Sequence, residues 1–360
     1  MPSFRTALLA TVASALSLAA TPVALADGLT FINKTTANGL GNNSVNGVYV
    51  SDTTIYAATN GGLSISTNGG ISFTNKTTAN GLGRNTVIAV FVSGSSIYAG
   101  TDGGLSISSN GGTSFINKTT ANGLGDNILR SVYDSSSTYA ATVNGLSISS
   151  NGGTSFINKT TANGLGNNSV NGVYVSDTTI YVATQGGLSI SSNGGTSFIN
   201  KTTVNGLGSN SVNGVYASDS SIYAATDGGL SISTNGGISF TNKTIANGLG
   251  QNSVFGVFAS GSSIYAATDG GLSISSNGGD SFTNYTTANG LGGNTLRWVY
   301  ANSKTIYAAT NGGLSIAQQA DPTPTPVPGP LPLFGAASAF GSSRKLRRRL
   351  RAAATASPCC

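Results

Sequence analysis

Few residues in this 360-residue chain can do acid–base or nucleophilic chemistry. It contains no His and no Glu, and only 8% of its residues are charged, where soluble domains carry about 25%. Hydrolysis of glycosidic bonds generally needs two convergent carboxyl groups, and Asp is the sole acidic side chain present. Asp102, Asp227 and Asp269 recur at one turn position but have no acidic neighbours in sequence, which falls short of the six to eight oxygens that calcium takes. The expectation is therefore no catalytic residue, no metal and no cofactor. Binding is better served. Between residues 27 and 317 the Arg residues are Arg84, Arg130 and Arg297, and a guanidinium can hold a carboxylate through two parallel hydrogen bonds. The same stretch balances ten Lys/Arg with ten Asp, so the net +6 comes from the chain's ends. A neutral body gives no electrostatic footprint for nucleic acid.

The elements that position these residues are repeats. The Phe of an "F-x-N-K-T-T-A-N-G-L-G"-like phrase falls at Phe31, Phe73, Phe115, Phe156, Phe198, Phe240 and Phe282, with spacings of 42, 42, 41, 42, 42 and 42. The short interval comes from one residue missing near Ser135, which marks a surface turn. Abundant Gly, Ser, Thr and Asn around alternating β-branched runs exclude helical repeats. One unit reads as four strands, over residues 44–51, 54–59, 62–66 and 71–77. Asn60-Gly61 and Asn68-Gly69-Gly70 separate them as hairpin turns, because these residues tolerate positive φ. Seven such units over residues 27–318 predict an all-β, seven-bladed β-propeller of four-stranded antiparallel blades; a β-solenoid is the competing reading. The frame separates the two. The body opens on a fourth-strand sequence, residues 28–35, and closes on a third-strand sequence, residues 312–317. A ring can use that offset, with the N-terminal strand completing the last blade, whereas a solenoid cannot.

Two resemblances follow. "S-x-N-x-G-x-S-F", as at Ser108, Asn110, Gly112, Ser114 and Phe115, resembles the Asp-box turn of sialidase-type propellers. Its six copies centre on Asn68, Asn110, Asn151, Asn193, Asn235 and Asn277. The resemblance implies a structural role, with Asn accepting turn amides. Residues 38–66 also resemble the two-component regulator propeller repeat, although Tyr56-Ala57-Ala58-Thr59 replaces its Trp-bearing strand and Trp298 is the single Trp. That family's propellers sense ligands for an attached kinase, and no kinase follows here.

The ends read as addresses. Residues 1–26 carry an early Arg5, an apolar centre and Ala24-Leu25-Ala26, the build of a secretory signal peptide. Residues 319–330 form a Pro-rich spacer. Residues 331–351 join a short apolar segment to an Arg cluster, and residues 352–360 form a tail ending in Cys359-Cys360. Spacer, apolar segment and Arg cluster resemble the PEP-CTERM sorting signal of bacterial exported proteins, although Gly329 stands where that motif carries Glu. The resemblance implies an exosortase-type processing enzyme as partner and delivery to the cell surface or matrix. The apolar segment is too short to span a bilayer as an ordinary helix, so membrane contact is expected only transiently.

Any ligand is expected on the face opposite the Asn-Gly-Gly turns, where the repeats diverge. The residue after "N-G-L-G" runs Asn42, Arg84, Asp126, Asn167, Ser209, Gln251 and Gly293. The second residue of the first strand runs Asn46, Ile88, Arg130, Asn171, Asn213, Phe255 and Arg297. Arg84, Asp126, Gln251, Arg130, Phe255 and Arg297 are the candidate ligand-binding residues. The function expected is an exported surface or matrix binding module for glycan or protein. The alternatives are a structural spacer without ligand and, less well supported, a sialidase-type hydrolase, which would need a Tyr activated by Glu.

Overall fold

A computed structural model describes residues 28–319. The signal-peptide segment and everything from the body of the Pro-rich spacer onward lie outside the described residues. Among the described residues, seven four-stranded antiparallel sheets make up the fold. In chain order, β1 (Ile32–Lys34) precedes the first complete blade, formed by β2 (Val45–Ser51), β3 (Thr54–Thr59), β4 (Gly62–Ser66) and β5 (Thr74–Lys76). The first strands of successive blades contact one another in turn, and the circuit closes between β2 and Leu296–Ala301. This is a seven-bladed β-propeller. The last blade is completed by β1, which pairs antiparallel with Gly313–Gln318 in the register Ile32↔Ile316, Asn33↔Ser315, Lys34↔Leu314. The offset in the repeat frame is this closure.

Apolar cores fill the spaces between neighbouring blades. Val45, Val48, Ile55 and Phe73 of the first blade pack with Ala309, Leu314 and Ile316 of the last. Leu29 and Phe31 bury themselves with Leu296, Val299 and Ile306. Each blade therefore stabilises its neighbour, and none has a complete core alone.

The outer strand is shorter than the 71–77 expected from sequence. Phe73 turns its N–H to the Asn38 carbonyl at 2.8 Å, out of the ladder, so pairing begins at Thr74. The acceptor belongs to a 3₁₀ turn, Thr36–Asn38, that the strand pattern does not anticipate. Thr35 Oγ1 accepts from Ala37 N while Asn38 Oδ1 accepts from Thr35 N, a reciprocal cap. Gly39 then takes φ +93°, and a Cβ there would stand 2.3 Å from the Phe73 carbonyl oxygen. The "N-K-T-T-A-N-G-L-G" phrase is thus a blade-to-blade stitch, repeated at every junction. The Asn-Gly-Gly turns are closed as their side chains allow. Asn68 Oδ1 accepts from Ser66 Oγ at 2.9 Å and from Ser72 N at 3.1 Å, and Gly70 N donates to Ser66 Oγ at 2.9 Å; the other five Asn repeat this set.

Candidate binding site in the central channel

Each inner strand carries a bulge near its start. In the first blade the register shifts between Val45 and Gly47, and the other six blades shift at the equivalent place. A bulge leaves one residue outside the ladder and re-aims its side chain. That residue is the divergent one: Asn46, Ile88, Arg130, Asn171, Asn213, Phe255 or Arg297. All seven line one cavity of about 590 Å³ at the axis of the ring. Its size suits a small organic ligand or a chain end.

Two further layers shape this cavity. Beyond the bulge come Gly47, Ala89, Ser131, Gly172, Gly214, Gly256 and Trp298, of which Trp298 alone is large. The six small residues leave the space, and the indole spreads across it. A Cβ on Gly256 would meet Trp298 Cε3 at 2.7 Å, and one on Gly214 would lie 3.7 Å from Cζ3; these glycines give the indole its bed. Two residues further along, on the same strand face, each blade contributes one aromatic ring. The centroid separations are 4.9 Å for Tyr49–Phe91, 4.7 Å for Phe91–Tyr133, 5.2 Å for Tyr133–Tyr174 and 4.8 Å for Tyr174–Tyr216. They continue at 5.0 Å for Tyr216–Phe258, 5.2 Å for Phe258–Tyr300 and 5.7 Å for Tyr300–Tyr49, so the girdle closes on itself. Tilted pairs at these distances are favourable aromatic contacts. The girdle rings the cavity beyond the small layer, and the space within is a funnel.

Burial pushes the hydroxyls of Tyr49, Tyr133, Tyr174, Tyr216 and Tyr300 above the ordinary phenol range. The charge of neighbouring tyrosines raises all five further, while a hydrogen bond from Tyr174 partly offsets the rise at Tyr216. These phenols stay protonated at neutral pH, and the lining carries no carboxylate to activate one. The folded state therefore holds its tyrosine protons more tightly than the unfolded chain. That stabilisation is complete below about pH 10 and is lost as pH rises through and beyond it. Melting temperature is expected to hold into mild alkali and fall above about pH 10, together with a late rise in tyrosinate absorbance. Ring tyrosines that ionise at the ordinary value while the fold persists would contradict the girdle's burial.

The structure brings together half of the expected ligand-binding residues. Arg130, Phe255 and Arg297 line the funnel; Arg84, Asp126 and Gln251 do not. The position after "N-G-L-G" is a turn cap: Asn42, Asp126 and Asn167 each accept the backbone N–H two residues on, at 2.8, 2.9 and 2.8 Å. Gln251 Oε1 accepts instead from Asn252 N at 3.1 Å. Arg84 lies out on the surface, its Nε 4.0 Å from Asp102 Oδ1, a separation at which an exposed pair contributes little. Trp298 is the residue that sequence reasoning missed. The signal was available, since it falls where five other inner strands have Gly or Ala and one has Ser.

No family model matches the chain, and no curated protein matches it. Solved structures share the fold. The extracellular domain of BT3049 from B. thetaiotaomicron, assigned to a hybrid two-component system, superposes with a TM-score of 0.69 at 20% identity, covering 80% of this chain and 41% of that one. The chain thus spans about two fifths of that domain's length. YCF48 bound to D1 peptide gives a TM-score of 0.61 at 12% identity over 82% of this chain and 98% of that one. An ancestral GH74 enzyme gives 0.58 at 17% identity over 81% and 46%. At such identities the likeness concerns the fold.

Proposed function

We propose that this protein is an exported binding module, held at the cell surface or in the extracellular matrix, whose ligand enters the funnel at the centre of the ring. The observation that carries the reading is the distribution of divergence. The bulge residues diverge among near-identical blades, and all seven meet in one cavity. Drift on exposed loops would scatter such changes, as it does at Arg84 and Gln251. Export and surface delivery rest on the signal-peptide and sorting-signal resemblances, with an exosortase-type enzyme as the processing partner. They accord with a fold that also forms part of the extracellular domain of BT3049. YCF48 uses the fold with a bound peptide, and GH74 enzymes use it for catalysis. Binding is favoured over hydrolysis because the funnel offers cations, amides and aromatic faces but no acid or base.

Trp298, the single Trp, reports on the cavity directly. A panel of glycans and peptides titrated against the full chain should contain ligands that change its fluorescence. Ser131→Phe fills the small layer without touching either Arg, and is expected to weaken those ligands by more than about tenfold. Its melting temperature should stay close to that of the parent, because the added ring enters open space. Ligands that bind without perturbing Trp298, and equally well to the Ser131→Phe protein, would place the site elsewhere.

A further inference from the structure

The polar groups of the funnel are one-sided in charge. Arg130 and Arg297 face it and no Asp does, although ten Asp stand in residues 27–317. Arg130 donates to Asn171 Oδ1. Arg297 makes no hydrogen bond or ion pair among the described residues, so its guanidinium is available to an anion.

The bulges add acceptors. Asn46 donates its amide to the Val87 carbonyl at 2.8 Å, Asn171 to Val212 at 2.8 Å and Asn213 to Val254 at 3.0 Å, each reaching the next blade. The other four blades lack this staple. Ile88 and Phe255 have nothing to donate, Arg130 turns to Asn171, and Arg297 bonds to nothing in the described chain. Asn46 and Asn213 line the funnel and use only their amide N–H groups in these contacts, so their side-chain oxygens receive no donor among the described residues. The indole of Trp298, bedded on Gly214 and Gly256, lines the same funnel.

We infer that the funnel takes an acidic sugar unit, its carboxylate on Arg297 and Arg130, its hydroxyls on the bulge amides and girdle phenols, and its apolar face on Trp298. The inference rests on the funnel being the binding site. Two guanidiniums with no carboxylate in the lining favour a carboxylate ligand over an amine. The amides of Asn46, Asn171 and Asn213 and the girdle phenols surround one small space, which suits the several hydroxyls of one sugar ring. The flat indole of Trp298 suits the flat face of a pyranose.

The test titrates the full chain, read by Trp298 emission, with short oligosaccharides ending in galacturonate, glucuronate or sialate. The methyl ester of each and a short peptide with a free C-terminal carboxylate serve as comparisons. At least one acidic sugar is expected to bind saturably, its ester about tenfold or more weaker, with affinity falling as salt is raised. Equal binding of the ester overturns the inference. So does binding of the peptide when none of the three sugars binds, an outcome that leaves the funnel itself as the site. Silence of Trp298 toward every probe, joined to ligands from the wider panel that ignore Ser131→Phe, overturns both.

Discussion

Removal of residues 29–34 is expected to abolish most of the protein's thermal stability or leave it insoluble. The segment is six residues long, yet it closes the ring. It contributes β1, the outer strand of the last blade, and its Asn33 bridges the Gly312 carbonyl at 2.9 Å and Ser315 Oγ at 3.1 Å. It also buries Leu29 and Phe31 in the core shared with the neighbouring blade. Loss of a buried Leu or Phe costs about 2–5 kcal/mol each, so the deletion removes on the order of 5 kcal/mol or more, against a total stability of about 5–15 kcal/mol for a folded domain. The strand Gly313–Gln318 would then present an open edge, which invites pairing with other chains. Thermal melting and sedimentation of the truncated chain check this. A melting temperature within a few degrees of the parent would contradict closure by the N-terminal strand.

That closure is legible in the sequence because it follows from counting. The Phe31 phrase opens the body in fourth-strand frame, and Gly312 and Leu314 end it in third-strand frame. Hairpin boundaries are equally legible wherever Asn-Gly pairs mark positive φ, as at Asn60-Gly61. The funnel is less so. A bulge is a property of a pair of strands, and the alternation Val45, Gly47, Tyr49 gives no sign that Asn46 leaves the ladder. The aromatic girdle is invisible for a related reason. Tyr49 and Tyr300 lie 251 positions apart and meet only when the ring closes. The 3₁₀ stitch at Thr35 escapes because Asn38, not Glu or Gln, completes its cap. Arg84, Asp126 and Gln251 diverge as visibly as the funnel residues, and sequence alone does not reveal that their position caps a turn outside the cavity. Trp298 stands out in composition, but its meaning depends on the glycines of two other blades.

Replacing both cavity arginines tests the account most directly. Arg130 and Arg297 belong to different blades, and both are exposed, with neither packed in an inter-blade core. Removing the two guanidiniums takes away every formal charge in the funnel while leaving the girdle, the stitches and the ring closure untouched. Substitutions at exposed positions usually change stability by less than about 0.5 kcal/mol, whereas a charge-assisted hydrogen bond contributes about 1.5–3 kcal/mol. Calorimetric titration of the tightest anionic ligand from the Trp298 panel should show the Arg130→Ala, Arg297→Ala protein losing about a hundredfold or more in affinity, with its melting temperature within a few degrees of the parent. Undiminished affinity in that folded double variant would contradict the funnel as the binding site.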